Sequence, residues 1–488
     1  MSTTGYSISK TSFLKLEQCH KAFFFYKNFP YLKDKVPVDR QLTFKRGHEV
    51  GDYARQLFPG GTDVSALMQN AVHGAELTSG LISQGTEVIY EATFLFNGVL
   101  IMVDILHYSE GKYRAYEVKS SVRTSDIYLK DACLQYYVLK NTLPGFEDLF
   151  LVTLDPEYVR AEALDVRKLF RRRSVKQKAE ENLPYFEHQV QVAHRLLEQN
   201  SIPNIAIGTH CFKPYPCDYL GNCWKEALSS EQSIFHLPYI NRLRLFEWHT
   251  RGIQTIAQLS GELSEEPRLL ELTHSFLDKA PLIRHKAIAA FLSEIREPVA
   301  AMDMEIWNPA IPQLPGTRPF EQIPFLVCFH DGQSTSHFFT THETDDRRIF
   351  AEELIRLASG FETLLVYDKN MELGVINQLI RAYPDLAPGL EGVRRKMSDV
   401  FLVFQNMDYY DPAFRNNFSL KTVSSLLLKD IHYSRIASGL EAMHVFEQLR
   451  RSDNPLEQQL MIQDLVGYCG TDTMATYQLS NFLRDLRA

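Results

Sequence analysis

Val99-Leu-Ile-Met-Val-Asp104-Ile-Leu-His-Tyr-Ser-Glu110-Gly111-Lys-Tyr113-Arg-Ala-Tyr-Glu117-Val-Lys119 decides the fold of the first half of the chain. Two β-rich runs, Val99–Leu106 and Tyr113–Val118, flank a turn at Glu110-Gly111. A third run, Glu87–Phe96, precedes them across Asn97-Gly98, and both dipeptides are hairpin chemistry. Twelve residues lie between Asp104 and Glu117, a spacing that lets a hairpin bring the two together. Glu117 and Lys119 share a face because side chains alternate along a strand. Two carboxylates and one ammonium therefore converge. The carboxylates can hold Mg²⁺ or Mn²⁺, and the lysine can orient or activate an attacking water. A surface salt bridge is the plain structural alternative.

Helical patterns surround these strands: Ser12–Asn28, His48–Leu57, Asp126–Leu139 with Gln135-Tyr136, and Leu183–Glu198. The order His48, Asp104, Glu117-Val-Lys119, Gln135-Tyr136 resembles the PD-(D/E)XK nucleases of the RecB type, and most of all the CRISPR-associated RecB-like exonucleases. The resemblance implies a restriction-endonuclease-like domain in which His48, Asp104 and Glu117 bind metal. It also implies that Lys119 assists the water and that Gln135 helps place the substrate. The family's spaced tyrosine after that glutamine is missing, since Tyr136 and Tyr137 follow at once.

Three of the seven cysteines form Cys211-x5-Cys217-x5-Cys223, with Pro and Gly between them to turn the backbone. The same resemblance implies a [4Fe–4S] cluster held by Cys19, Cys211, Cys217 and Cys223, an iron–sulfur staple between the two ends of the domain. Both gaps are five, whereas the family usually has a closer pair, so zinc stays open as the alternative. Cys133, Cys328 and Cys469 lie in apolar runs and read as core.

With 488 residues, 45% of them hydrophobic, the chain can build several cores. No apolar run approaches the ~20 residues of a membrane-spanning helix. Met1–Lys10 is polar, so no secretory leader and a cytoplasmic location are expected. Net charge is −8, which argues against coating nucleic acid by bulk charge. A local basic groove is still compatible. Arg167 to Lys178 holds seven basic residues and no acid, either a solvated helix face or a phosphate-contacting strip.

Beyond a nuclease-like part at 1–225, residues 226–297 read as a helical linker. Within it, Asn241–Leu259 carries Gly252-Ile253 and resembles a helix-hairpin-helix. Residues 298–488 alternate strand-like runs (Pro324–Phe329, Thr363–Tyr367) with helices (Ala351–Ala358, Gly374–Ala382, Leu460–Leu486), which suggests an α/β layer. Asp303 and Glu305 share a face at the end of an apolar run. Tyr367 to Glu372 runs from strand into helix, and Tyr468 and Asp472 are an i, i+4 pair.

This ordered set resembles the DEDD exonucleases of the ribonuclease-H-like fold. The resemblance implies two Mg²⁺ or Mn²⁺ ions on Asp303, Glu305, Glu372 and Asp472, with Tyr468 orienting the nucleophilic water. Asp368 and Asp399 are other candidates for the second motif, where the family carries Asp rather than Glu. The Pro-rich run Asn308–Pro324 and the stretch Asn417–Lys421 resemble a C-terminal domain of unknown function that bacterial proteins attach to a RecB-like nuclease. The Pro-rich loop reads as a rim to the metal strand or as a structural surface loop.

The whole then reads as an α/β multidomain protein. Its expected activity is a two-headed, metal-dependent nuclease acting on DNA, with RNA possible, one head of the 3′–5′ exonuclease type. Repair or anti-phage defence would be its setting. The rivals are a single active head and a non-catalytic nucleic-acid-binding subunit.

Overall fold

The computed structural model describes residues 8–36, 38–261, 263, 266–433 and 435–486. The chain divides into two compact units, one of residues 1–225 with 310–319, the other of 226–309 with 320–488. The first unit's main segment ends at Lys225. Residues 226–297 are not a separate linker but part of the second unit.

The first unit is built on a seven-stranded sheet of β1 (Ile8–Ser9), β2 (Thr62–Asp63), β3 (Val88–Phe96), β4 (Val99–Ser109), β5 (Lys112–Lys119), β6 (Phe146–Leu154) and β7 (Phe170–Ser174). The order is β2-β3-β4-β5-β6-β7, with β1 parallel to the start of β4. The hairpins at Asn97-Gly98 and Glu110-Gly111 make β3, β4 and β5 antiparallel, and all four turn residues have positive φ. The helix Asp126–Thr142 then crosses over to lay β6 parallel to β5. It is buried continuously from Asp131 to Leu139, so no side of it faces solvent there. Tyr113, Ala115, Leu134, Val138 and Leu151 join one core under it.

The expected single helix over Ser12–Asn28 is two helices, Lys10–Gln18 and His20–Asn28. Cys19 between them is extended, at φ −169° and ψ 125°. The helix around His48 runs earlier than expected, Val38–Arg55. Arg171, Arg172 and Arg173 lie not on a helix but on β7, an exposed edge strand. Cationic side chains there guard an open edge against pairing with another chain. Residues 310–319 group with the first unit, where Arg160 donates from its backbone to Thr317 O and from Nη1 to Pro312 O. The Pro-rich loop is thus divided between the units and is not simply a rim of the second.

The second unit holds a five-stranded sheet, and its pieces follow a two-residue strand β8 (Leu282–Ile283). The sheet strands are β9 (Val299–Trp307), β10 (Ile323–His330), β11 (Thr335–Phe339), β12 (Thr363–Val366) and β13 (Met397–Asp399). A last short strand, β14 (Tyr409–Tyr410), pairs with β8. The sheet order is β11-β10-β9-β12-β13, antiparallel on the β10 side of β9 and parallel on the β12 side. The 31-residue helix Pro455–Asp485 packs on β9 and β10. The helix Arg242–Thr250 ends before Gly252 (φ 86°), Thr255 bridges to Ser233, and a short 3-10 helix, Ile256–Gly261, follows.

Within the first unit, Lys15 and Asp218 form an ion pair at 2.8 Å, both nearly inaccessible. The pair ties the first helix to the Cys217 segment. Asp218→Ala strands a buried ammonium and is expected to cost about 3–5 kcal/mol. The pair Lys15→Met with Asp218→Leu is expected to recover most of it, measured by urea denaturation of the whole chain.

Candidate functional site

Ladder register builds the first centre. Ile105 faces Tyr116, so the next position places Asp104 across from Glu117. Tyr90 and Ala92 face Ile105 and Val103, so Glu91 stands across from Asp104 on the other side. Three carboxylates from three adjacent strands thus lie in one row. Glu91 has a left-handed backbone (φ 53°) and interrupts the regular pairing there. Like charges directly opposite destabilise a ladder, so this row needs cations.

An arginine and two lysines supply them: Arg55 Nη2 lies 3.2 Å from Glu91 Oε1. Lys10 Nζ is 2.8 Å and Lys119 Nζ 2.7 Å from Glu117 Oε1. Lys119 also reaches Asp131 Oδ2 at 2.6 Å, and Lys10 approaches the same oxygen at 3.8 Å. Gln135 is fully buried with its Nε2 3.5 Å from Asp131 Oδ1. Asp104 Oδ2 accepts the Val118 N–H at 2.6 Å.

The charges follow from these contacts. Burial, then the neighbouring Glu117, pushes Asp104 up to about 8. Burial would also raise Glu117, but Lys10 and Lys119 outweigh it and hold the carboxyl well below its ordinary range. Burial disfavours the Lys119 ammonium, yet Glu117 and Asp131 overcome this and keep it protonated. Lys119 is therefore a fixed positive charge and not a proton acceptor. Glu117 Oε2 is buried with no hydrogen-bond partner, an acceptor left for a cation.

Asp104, Glu117, Lys119 and Gln135 are brought together as the sequence suggests. His48 is not: it is exposed on its helix, and no contact among the described residues links it to Asp104 or Glu117. Sequence reading missed Lys10, Glu91 and Asp131. Only Asp131 left a local signal, four residues before Gln135 on one helix face.

The second centre lies on β9. Asp303 faces Cys328 across the ladder, and Glu305 is two residues on along the same face. The long C-terminal helix brings Tyr468, Cys469 and Asp472 against it. Ligand atoms of Asp303, Glu305 and Cys469 all lie within 4.8 Å of one another. Tyr433 donates its hydroxyl to Asp472 Oδ1 at 2.6 Å, and Lys421 Nζ donates to Tyr468 Oη at 3.1 Å. Burial, then Asp472 and Glu305, raises Asp303 well above its ordinary range, and burial with Asp472 does the same to Glu305. Burial lifts Asp472 to about 6.

Glu372 is buried in the first turn of the helix Asn370–Ala382, raised by burial to about 8, with Oε2 unpartnered. Its charge acts on Asp303 and Glu305. The other candidates for that role fit less well. Asp399 accepts the backbone N–H groups of Asp368, Lys369 and Phe401, so it caps a turn. Asp368 is bonded to the Asn370 side chain.

The cysteines gather in the first unit. Cys19, Cys211, Cys217 and Cys223 line one small cavity with His210, Ile205 and Leu220. Gln18 Nε2 donates to the carbonyls of His210 and Tyr215, fixing the loop to the helix that ends at Cys19. Burial raises the Cys19 and Cys223 thiols and lifts Cys217 to about 11. No three of these sulfurs lie within 4.8 Å of one another among the described residues. Four thiolates on one tetrahedral zinc would sit about 3.8 Å apart, given Zn–S near 2.3 Å.

A family model described as a domain of unknown function, DUF2779, matches residues 300–419. The match spans Asp303, Glu305 and Glu372 but ends before Tyr468 and Asp472. No curated protein matches the chain. No helix among the described residues is long and apolar enough to cross a membrane.

The raised carboxylates carry a stability consequence. Glu372 titrates near 8 in the folded protein against an ordinary 4.5, so between these values the folded state holds a proton that the unfolded chain has released. Its contribution therefore turns unfavourable as pH rises from 4.5 through 8. Glu372→Gln removes this term. It is expected to stabilise the metal-free protein at pH 8 by on the order of 3 kcal/mol, with the gain fading toward pH 4.5. Urea denaturation of both proteins at the two pH values checks this, and a gain independent of pH would sink it.

Proposed function

We propose that the protein is a metal-dependent nuclease with two separate hydrolytic centres acting on phosphodiester bonds, DNA being the substrate of choice. One observation carries this reading: each unit buries facing carboxylates and leaves one of their oxygens without a partner. Such groups repel one another in water-excluded surroundings and are stabilised together by a divalent cation. The residues present would hold a divalent cation: Asp104, Glu117 and Glu91 in the first unit, an all-oxygen set that fits Mg²⁺ or Mn²⁺, and Asp303 and Glu305 in the second, with Glu372 and Asp472 acting on them through charge. The ion supplies Lewis acidity toward a phosphoryl oxygen and favours ionisation of the attacking water.

The side chains do the rest. Lys119, clamped between Glu117 and Asp131, presents a fixed ammonium to charge developing on the phosphate. Gln135, beside Asp131, orients that clamp. In the second unit Tyr468, held by Lys421, positions a water for in-line attack. The strand order around β9 supports a ribonuclease-H-like reading of the second unit. The meander β3-β4-β5 with its crossover to β6 supports a PD-(D/E)XK reading of the first. The four cysteines fit a [4Fe–4S] cluster that staples the first helix pair to residues 211–223. Its role is structural, and Cys19→Ser is expected to abolish the visible absorption of anaerobically purified protein.

The test is cleavage of end-labelled single- and double-stranded DNA and RNA with Mn²⁺ or Mg²⁺. Asp104→Asn and Asp303→Asn are each expected to remove one product pattern by at least about 100-fold, and the double variant both. Wild-type protein that cuts none of these substrates with either ion would overturn the proposal.

A further inference from the structure

Cys469 has no part in the proposed hydrolysis. It is fully buried on the C-terminal helix, one residue after Tyr468 and three before Asp472, and so shares the Asp472 face. Its Sγ donates to the Asp303 carbonyl at 3.5 Å and lies within 4.8 Å of a carboxylate oxygen of both Asp303 and Glu305. The Glu305 side chain is only 6% exposed, and Glu372, whose charge acts on it, is 2% exposed with Oε2 buried and without a hydrogen-bond partner. A buried, unpartnered carboxylate oxygen at such a centre favours a cation.

We propose that Cys469 is the third ligand of the Asp303–Glu305 centre, which therefore takes a thiophilic transition metal of the Zn²⁺ class in preference to Mg²⁺. The inference rests on the reading of the second unit as a metal centre. Mg²⁺ demands near-octahedral oxygen ligands and keeps its waters, whereas Zn²⁺ accepts mixed sulfur and carboxylate ligands in tetrahedral sites. Three protein ligands leave a fourth position open, as catalytic zinc sites do. On binding, the Cys469 S–H bond breaks, the sulfur–metal bond forms, and the proton leaves to solvent. Cys328 makes the internal control. It is equally buried, faces Asp303 across the ladder and touches the Cys469 thiol, yet it is not part of the ligand group.

The experiment uses the whole chain, purified anaerobically and freed of loosely held ions, titrated with Co²⁺ and then displaced with Zn²⁺. The readout is thiolate-to-Co²⁺ charge-transfer absorption, taken as wild type minus Asp303→Asn so that Cys19, Cys211, Cys217 and Cys223 cancel. The expected result is a difference band that Zn²⁺ removes and a hundredfold excess of Mg²⁺ does not. Cys328→Ser is expected to keep the band. Cys469→Ser, or Cys469→Ala should the serine variant not fold, is expected to lose it and to weaken Zn²⁺ binding by about 10–100-fold, a loss typical of altered metal shells. Asp303-dependent Co²⁺ binding without a thiolate band would overturn the thiol assignment and leave the metal centre standing. Absence of any Asp303-dependent binding of Co²⁺, Zn²⁺, Mn²⁺ or Mg²⁺ would overturn the metal centre and the thiol assignment with it.

Discussion

Repulsion between buried carboxylates is the constraint around which both units are arranged. In the first, ladder register forces Glu91, Asp104 and Glu117 into a row across three strands. A β-ladder spaces facing side chains by about 5 Å, too close for three unscreened negative charges in a half-buried site. The structure answers with two ammoniums on one oxygen, a protonation-prone Asp104, and a helix whose Asp131 anchors one of those ammoniums in place. The first helix therefore has an electrostatic reason to dock where it does, since it delivers Lys10. The buried Lys15–Asp218 pair locks the same helix to the cysteine-bearing segment.

What the sequence made legible was what obeys a short period. The helix Leu183–Glu198 has the bounds its pattern suggests, and its buried residues Phe186, Val190, Ala193 and Leu196 keep the helical spacing. Glu117 and Lys119 share a face because strands alternate, and the two glycine turns set the hairpins that bring Asp104 to them. What stayed hidden depends on distance along the chain. Lys10 and Glu117 are 107 residues apart, and no local pattern links them. Glu91 sat unremarked inside a strand whose register alone gives it meaning. Cys469 read as core, and it is core; only the fold shows that this core abuts two carboxylates. Cys19 was found as a ligand candidate, but the helix break that exposes its side chain to the cysteine cavity was not, because a single extended residue leaves no compositional mark.

His48 and the basic run show how resemblance and composition can each overreach. A histidine on the right helix at the right position in the order still has to face the carboxylates, and His48 faces solvent. Seven cations in twelve residues suggested one continuous face. Three of them instead occupy an edge strand, where Arg172 packs its guanidinium over Phe58 and Tyr116. That packing, with the Arg171–Asp155 ion pair, spends part of the basic run on the fold itself.

The two centres solve the same electrostatic problem in opposite ways, and this difference orders their chemistry. In the first unit the chain carries its own countercharge, so Lys10 and Lys119 hold the Glu117 carboxyl well below its ordinary range and a metal would add to an already balanced site. In the second, Lys421 is the cation that acts on Glu305 and Asp472, and it bonds Tyr468 rather than a carboxylate. Asp303, Glu305 and Glu372 are consequently driven toward their neutral forms. A cation bound from outside the chain would favour their ionised forms. On the proposed reading, the second centre is therefore the one that would depend more on a bound cation, and it is also the one whose proposed ligands include a sulfur.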